Sequence, residues 1–157
     1  MDILLPHQSR NLEYYRGRQC NKQWRDFLSV LLDELDSNVG ANEVQAFFSV
    51  LGTKLASRWP LSEQSTLEGL ELEANTIWNE LDWGWCQFKV ESAAITIIHD
   101  DWPNPDYGKE TLWSLAFSAL LQGIYTSWLR EQGGDTVVDV RITENTKGKP
   151  LKLMYGG

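Results

Sequence analysis

The sequence predicts an α+β domain of four helices and an antiparallel sheet made of two hairpins. Three observations carry the prediction. Apolar residues recur at three- and four-residue intervals in four stretches, they alternate with polar residues in others, and turn-rich segments containing Gly and Pro separate the two kinds.

The first helix spans Gln23 to Val39, with Trp24, Phe27, Leu28, Leu31, Leu32 and Leu35 forming its apolar stripe; Asn38 to Gly40 ends it. A second follows from about Asn42, with Val44, Phe47, Phe48, Leu51 and Leu55 on one face, and Pro60 stops it, so the pair reads as a helical hairpin. Ser65 and Glu68 have capping-box spacing, which starts a third helix at Thr66. Leu67, Leu70, Ala74, Ile77, Trp78 and Leu81 continue it, and Gly84 suits the left-handed turn that ends such helices.

Beyond Gly84 the period changes to two. Cys86, Phe88 and Val90 alternate with Gln87, Lys89 and Glu91, as in a strand covered on one face, and a short turn at Ser92 leads to a second strand, Ala94 to His99. The loop DDWPNPDYGKE precedes a fourth helix, about Leu112 to Arg130, which is apolar almost all round. Either the domain surrounds such a helix completely or another copy of the chain covers one face; in so small a domain the second is favoured, so Trp113, Phe117, Leu120, Ile124 and Trp128 are expected at a subunit interface. Gly133 and Gly134 lead to the last strands, Thr136 to Thr143 and Leu151 to Tyr155. Residues 1–20, with Tyr14, Tyr15 and three arginines but no clean period, read as an arm before a single domain over residues 21–157.

The chain's 157 residues suffice for one core without disulfides, and Cys20 and Cys86 read as reduced thiols. A formal charge of -8 repels phosphate backbones and anionic headgroups, so nucleic acid and membrane surfaces are not expected partners. The longest apolar runs fall far short of the ~18 residues of a spanning helix, and Asp2 and Pro6 are wrong for an export signal, so the expected location is the cytoplasm.

Catalysis requires convergent groups of tuned acidity, and the inventory is poor. His7 lies in the arm, and His99 ends a strand with no nucleophile motif nearby. Asp100 and Asp101 beside His99 imitate a metal site only in one dimension, because consecutive residues of an extended chain point to opposite sides. Asp33 with Glu34, and Glu71 with Glu73, read as helix surface. No enzyme, metal or cofactor is expected. The eight tryptophans are the better lead: Trp83 and Trp85 flank Gly84, where a flat ring could stack on a sugar or fill a subunit contact, with burial in the core or an interface the favoured fate.

The segment LDWGW at Leu81 to Trp85, the strand ending IIH at Ile97 to His99, and the helix LLQGIYTSW at Leu120 to Trp128 resemble, in matching order and length, the D-subunit family of bacterial cellulose synthases. The resemblance runs from about Gln23 to the carboxyl terminus. It implies a non-catalytic subunit that forms a ring-like homo-octamer, a tetramer of dimers. Internal passages in that ring would guide new glucan chains, with amino-terminal segments lining them. It further implies that the subunit aligns synthase complexes so that glucans crystallise, together with a proline-rich companion from the same operon. By that resemblance Tyr14 and Tyr15 join Trp83 and Trp85 as candidates for contact with glucan or a partner. Direct glucan contact would place the protein in the periplasm rather than the cytoplasm. The reading from a different class is a secretion chaperone, a small acidic α+β dimer holding an extended client; a ligand-sensor domain is a third, and would require an apolar pocket with convergent polar groups.

Overall fold

The structure, a computed structural model, describes residues 20–103, 110–133 and 138–156. Along these residues run α1 (Lys22–Val39), α2 (Ala41–Arg58), α3 (Leu67–Leu81), β1 (Trp85–Glu91), β2 (Ala94–Asp100), α4 (Glu110–Glu131), β3 (Val140–Glu144) and β4 (Leu151–Gly156). The α+β class and the four helices agree with the sequence. The two hairpins join into one antiparallel sheet of order β1-β2-β4-β3, sealed at its centre by the β2–β4 ladder from Ala94↔Gly156 to His99↔Leu151.

The two-residue period of the strands sorts the sheet into faces. Cys86, Phe88, Ile97, His99, Leu151, Leu153 and Val140 are buried on the helical side. Trp85, Gln87, Lys89, Arg141 and Lys152 are exposed on the other. α3 packs on β1, and α4 runs under β3 and β4 while making its most extensive contact with α2. Two glycines make that helix contact possible. A β-carbon on Gly123 would lie 2.1 Å from the Ser49 carbonyl oxygen, and Gly52 is as tightly pressed from the other side, so the two backbones almost touch. Near their C-terminal ends the helices are tied again, where Trp128 Nε1 donates to the Trp59 carbonyl at 2.9 Å.

This arrangement bears on the two readings of α4. Trp113, Phe117, Leu120, Ile124 and Trp128 are each at most 5% exposed within a single protomer. Their all-round apolar pattern is accounted for by α2 on one side and the sheet on another, so these five side chains have no free surface to offer a second copy. The apolar surface lies instead on α1 and α2. α1 joins α2 through Gly40 alone, at φ +82, and reaches the core through buried Leu32 with partly buried Leu28 and Leu35. Among its other apolar residues, Trp24, Phe27 and Val30 project into solvent at 59%, 58% and 63% exposure.

Two local expectations shift by a residue or two. The cap of α3 is Thr66 rather than Ser65: its Oγ1 accepts from Gly69 N–H at 3.0 Å, and the helix begins at Leu67. The left-handed residue that ends α3 is Asp82, at φ 55, while Gly84 serves a different need. At φ +87 a β-carbon there would meet the Asp100 carbonyl oxygen at 2.0 Å, so the start of β1 can approach β2 only as glycine. The strand expected to begin at Thr136 is observed from Val140; residues 134–137 lie outside the described residues, as does the arm carrying Tyr14 and Tyr15.

Candidate functional site

The residues most like a reaction centre converge in the middle of the domain. β2 carries His99, β1 Cys86, α3 Trp78 and α4 Tyr125, and all four are at most 1% exposed. The hydrogen bonds determine their protonation. His99 Nε2 sits 2.8 Å from the Trp83 carbonyl oxygen, which can only accept, so Nε2 carries the proton and Nδ1 is the acceptor. Tyr125 therefore donates its hydroxyl proton to Nδ1 at 2.5 Å, and its oxygen accepts from Trp78 Nε1 at 3.1 Å.

Burial sets the acidities. Desolvation lowers the His99 pKa to about 4, against a smaller opposing effect from its bond to the Trp83 carbonyl, so the imidazole is neutral at pH 7. Desolvation likewise pushes the Cys86 thiol up to about 12, and raises the Tyr125 phenol well above its ordinary value. A neutral imidazole, a protonated thiol and a protonated phenol, closed off by Trp78, Trp83 and Trp128, have neither a charge to offer nor a path to a substrate. The cluster is a latch joining α3, β1, β2 and α4. Sequence reading missed Tyr125 as its hub; the available signal was a tyrosine, with a hydroxyl to satisfy, inside an otherwise apolar helix.

The acidic neighbours of His99 diverge from it. Asp100 faces the other side of the sheet, and Asp101, at φ 54, accepts from Trp85 Nε1 at 3.2 Å. Among the described residues no group of three or more His, Cys, Asp or Glu side chains could hold a metal ion, and no helix is long and apolar enough to cross a membrane.

Trp83 and Trp85, paired in the sequence, part company in space. The Trp83 ring stacks on Trp78 with centroids 6.0 Å apart and meets Trp59 and Phe117 edge-on at 5.4 and 4.9 Å, so it is a packing residue at the rim of the core. Trp85 points to the open sheet face and is 43% exposed.

The largest display of apolar side chains is helical. On α1, Trp24, Phe27 and Val30 are exposed at three-residue steps, turning from the edge of the inward stripe to the outer side of the helix, and the Trp24 and Phe27 rings meet edge-on at 6.2 Å. On α2, Phe47 and Val50 are likewise exposed, at 47% and 54%. Polar chemistry is found elsewhere, where Glu73 accepts from the Ser62 N–H at 2.9 Å, the Ser62 hydroxyl at 2.8 Å and Gln64 Nε2 at 2.8 Å. The backbone donor foremost among them holds the Glu73 carboxyl below its usual range despite some desolvation.

The fold and its surfaces define a small α+β subunit with a sealed polar latch and an exposed apolar helical face. Comparison with known proteins identifies the family: the profile of the cellulose synthase D-subunit family matches residues 10–156. The cellulose synthase operon protein D of Komagataeibacter xylinus is 22% identical over 130 residues, covering 82% of each chain. The chain belongs to the cellulose synthase D-subunit family, and its place is in cellulose biosynthesis.

Proposed function

We propose that the chain is a non-catalytic scaffold that binds copies of itself through α1 and α2 and so organises cellulose synthase complexes, aligning glucan chains for export and crystallisation. One observation carries the reading: apolar side chains stand in water on a helix that its own domain scarcely holds. Three aromatic rings about half exposed leave on the order of 300 Å² of apolar surface in solvent before the valines are added, the size of patch that marks a contact. The occupant is a second copy. Helices that carry the same flank on both sides of a two-fold axis cover each other with one self-complementary surface, and α1, joined only through Gly40, can reach across.

In this reading dimers assemble further into a ring-like octamer with a proline-rich partner from the same operon. The arm over residues 1–20, with Tyr14 and Tyr15, and the exposed Trp85 contact glucan or that partner, and the protein works on the cytoplasmic faces of the synthases. The experiment is a strain carrying Trp24→Ser, Phe27→Ser and Val30→Ser together. A scaffold affects arrangement more than rate, so cellulose yield falls modestly while crystallinity, read by X-ray diffraction of the product, falls more. A strain whose yield and crystallinity both match the parent overturns the proposal.

A further inference from the structure

Both outer strands of the sheet are closed by a pair of side chains from the helix beside them. In an antiparallel sheet the main-chain groups of alternate residues on an edge strand point away from the neighbour and are open to pairing by a further strand. On β1 these are Cys86, Phe88 and Val90, of which the first two are met by side chains of α3. The Asn75 side chain of α3 imitates a strand: its Oδ1 accepts from Cys86 N–H at 2.7 Å and its Nδ2 donates to the Cys86 carbonyl at 2.9 Å. One turn earlier, Glu71 Oε2 accepts from Phe88 N–H at 2.9 Å.

The opposite edge repeats the device. Val140 N–H of β3 donates to Thr126 Oγ1 at 3.1 Å, and its carbonyl accepts from Gln122 Nε2 at 2.7 Å. Each closing pair is spaced four residues apart, which places both side chains on one helix face with a rise of about 6 Å; on α3 this is close to the roughly 7 Å between the alternate residues Cys86 and Phe88, whereas Gln122 and Thr126 both bond the single residue Val140. What is left is short. β1 continues only to Glu91 beyond Phe88, and β3, five residues long, is broken by a register shift between Ile142 and Glu144. A guest strand of about five residues has no continuous ladder at either end.

We infer that Glu71, Asn75, Gln122 and Thr126 close the sheet against strand addition, so that neither an extended polypeptide nor the sheet of another copy can dock at its edges. This rests on the strand edges alone and holds whether or not α1 mediates self-association. It also sets the chain apart from chaperones that hold an extended client by adding it to a sheet.

The test opens the edges. Glu71→Leu with Asn75→Leu, and separately Gln122→Leu with Thr126→Val, remove the closing groups while keeping side-chain bulk; Leu70→Ala, which weakens the α3 core without touching an edge, is the comparison, and Glu71→Gln keeps an acceptor at Phe88. At equal loss of melting temperature, the opened variants gain the amide I infrared band of intermolecular β-structure together with larger particles by light scattering, and Leu70→Ala and Glu71→Gln do not. In the unaltered protein, the Cys86 and Phe88 amides exchange with deuterium at least about tenfold more slowly than open edge amides. Opened variants that associate no more than Leu70→Ala would overturn the inference. So would edge amides exchanging at open-edge rates in the unaltered protein, a reading available even if an opened variant does not fold.

Discussion

Gly52 of α2 lies so close to Leu120 of α4 that a β-carbon on the glycine would stand 2.0 Å from the leucine's carbonyl oxygen. The obstacle is backbone, so it cannot rotate away as a side chain would. Gly52→Ala and Gly123→Ala must therefore push the helices apart, with an expected cost of about 3 kcal/mol each, at the upper end of overpacking effects. Urea denaturation of the two variants measures it; a loss below about 1 kcal/mol would mean that the helices separate without penalty.

The His99 latch makes stability depend on pH in a defined direction. His99 takes up a proton near 6.5 when unfolded but only near 4 when folded, so its contribution is full above about 6.5 and is lost as pH falls toward 4. At about 1.4 kcal/mol per pH unit, that interval amounts to about 3 kcal/mol. Glu73, a carboxylate held below its usual range, loses its contribution in the same direction but only as pH falls through that lower range, so work above pH 5 isolates the histidine. His99→Asn should flatten the slope of unfolding free energy between pH 6.5 and 5; an unchanged slope would show that His99 titrates normally in the fold.

The two tryptophans beside Gly84 should behave differently. Trp83→Ala removes a ring packed against Trp59, Trp78 and Phe117 and is expected to cost about 3 kcal/mol. Trp85→Ala, on the open sheet face, should stay within about 1 kcal/mol of the parent. Thermal melting distinguishes them, and equal losses would contradict the placement of Trp85 in solvent.

Much of this fold is legible in the sequence because periodicity reports burial directly. The alternation at Cys86 and Phe88, and the unbroken apolar character of α4, each correspond to what is buried. Periodicity does not report what does the burying. The covering of Leu120 and Ile124 by α2, rather than by another chain, was signalled only by Gly52 and Gly123, since glycine inside a helix marks a close backbone approach. The converse occurs on α1, where Trp24 and Phe27 share the helical stripe with Leu32 but project beyond the reach of the domain. The shift of the cap from Ser65 to Thr66 reflects two adjacent hydroxyls of nearly equal capping ability. The latch and the edge closures join residues far apart in sequence, which spacing cannot reveal.

Leu120→Asp provides a check on the role of α4. It puts a carboxylate between two helices of one protomer, with an expected cost of about 3 to 5 kcal/mol. Helicity by circular dichroism should fall together with assembly. Folded single protomers after this substitution would return α4 to a subunit interface.

The most direct test of self-association through the helical face is the mass of the full-length protein by multi-angle light scattering. It is measured beside the variant with Trp24→Ser, Phe27→Ser and Val30→Ser, whose side chains are solvent-exposed and cost the protomer little. The account predicts an oligomer for the parent and folded single protomers, with unchanged helicity, for the variant. A variant that keeps the parent's mass, or a parent that is itself a single protomer, would contradict it.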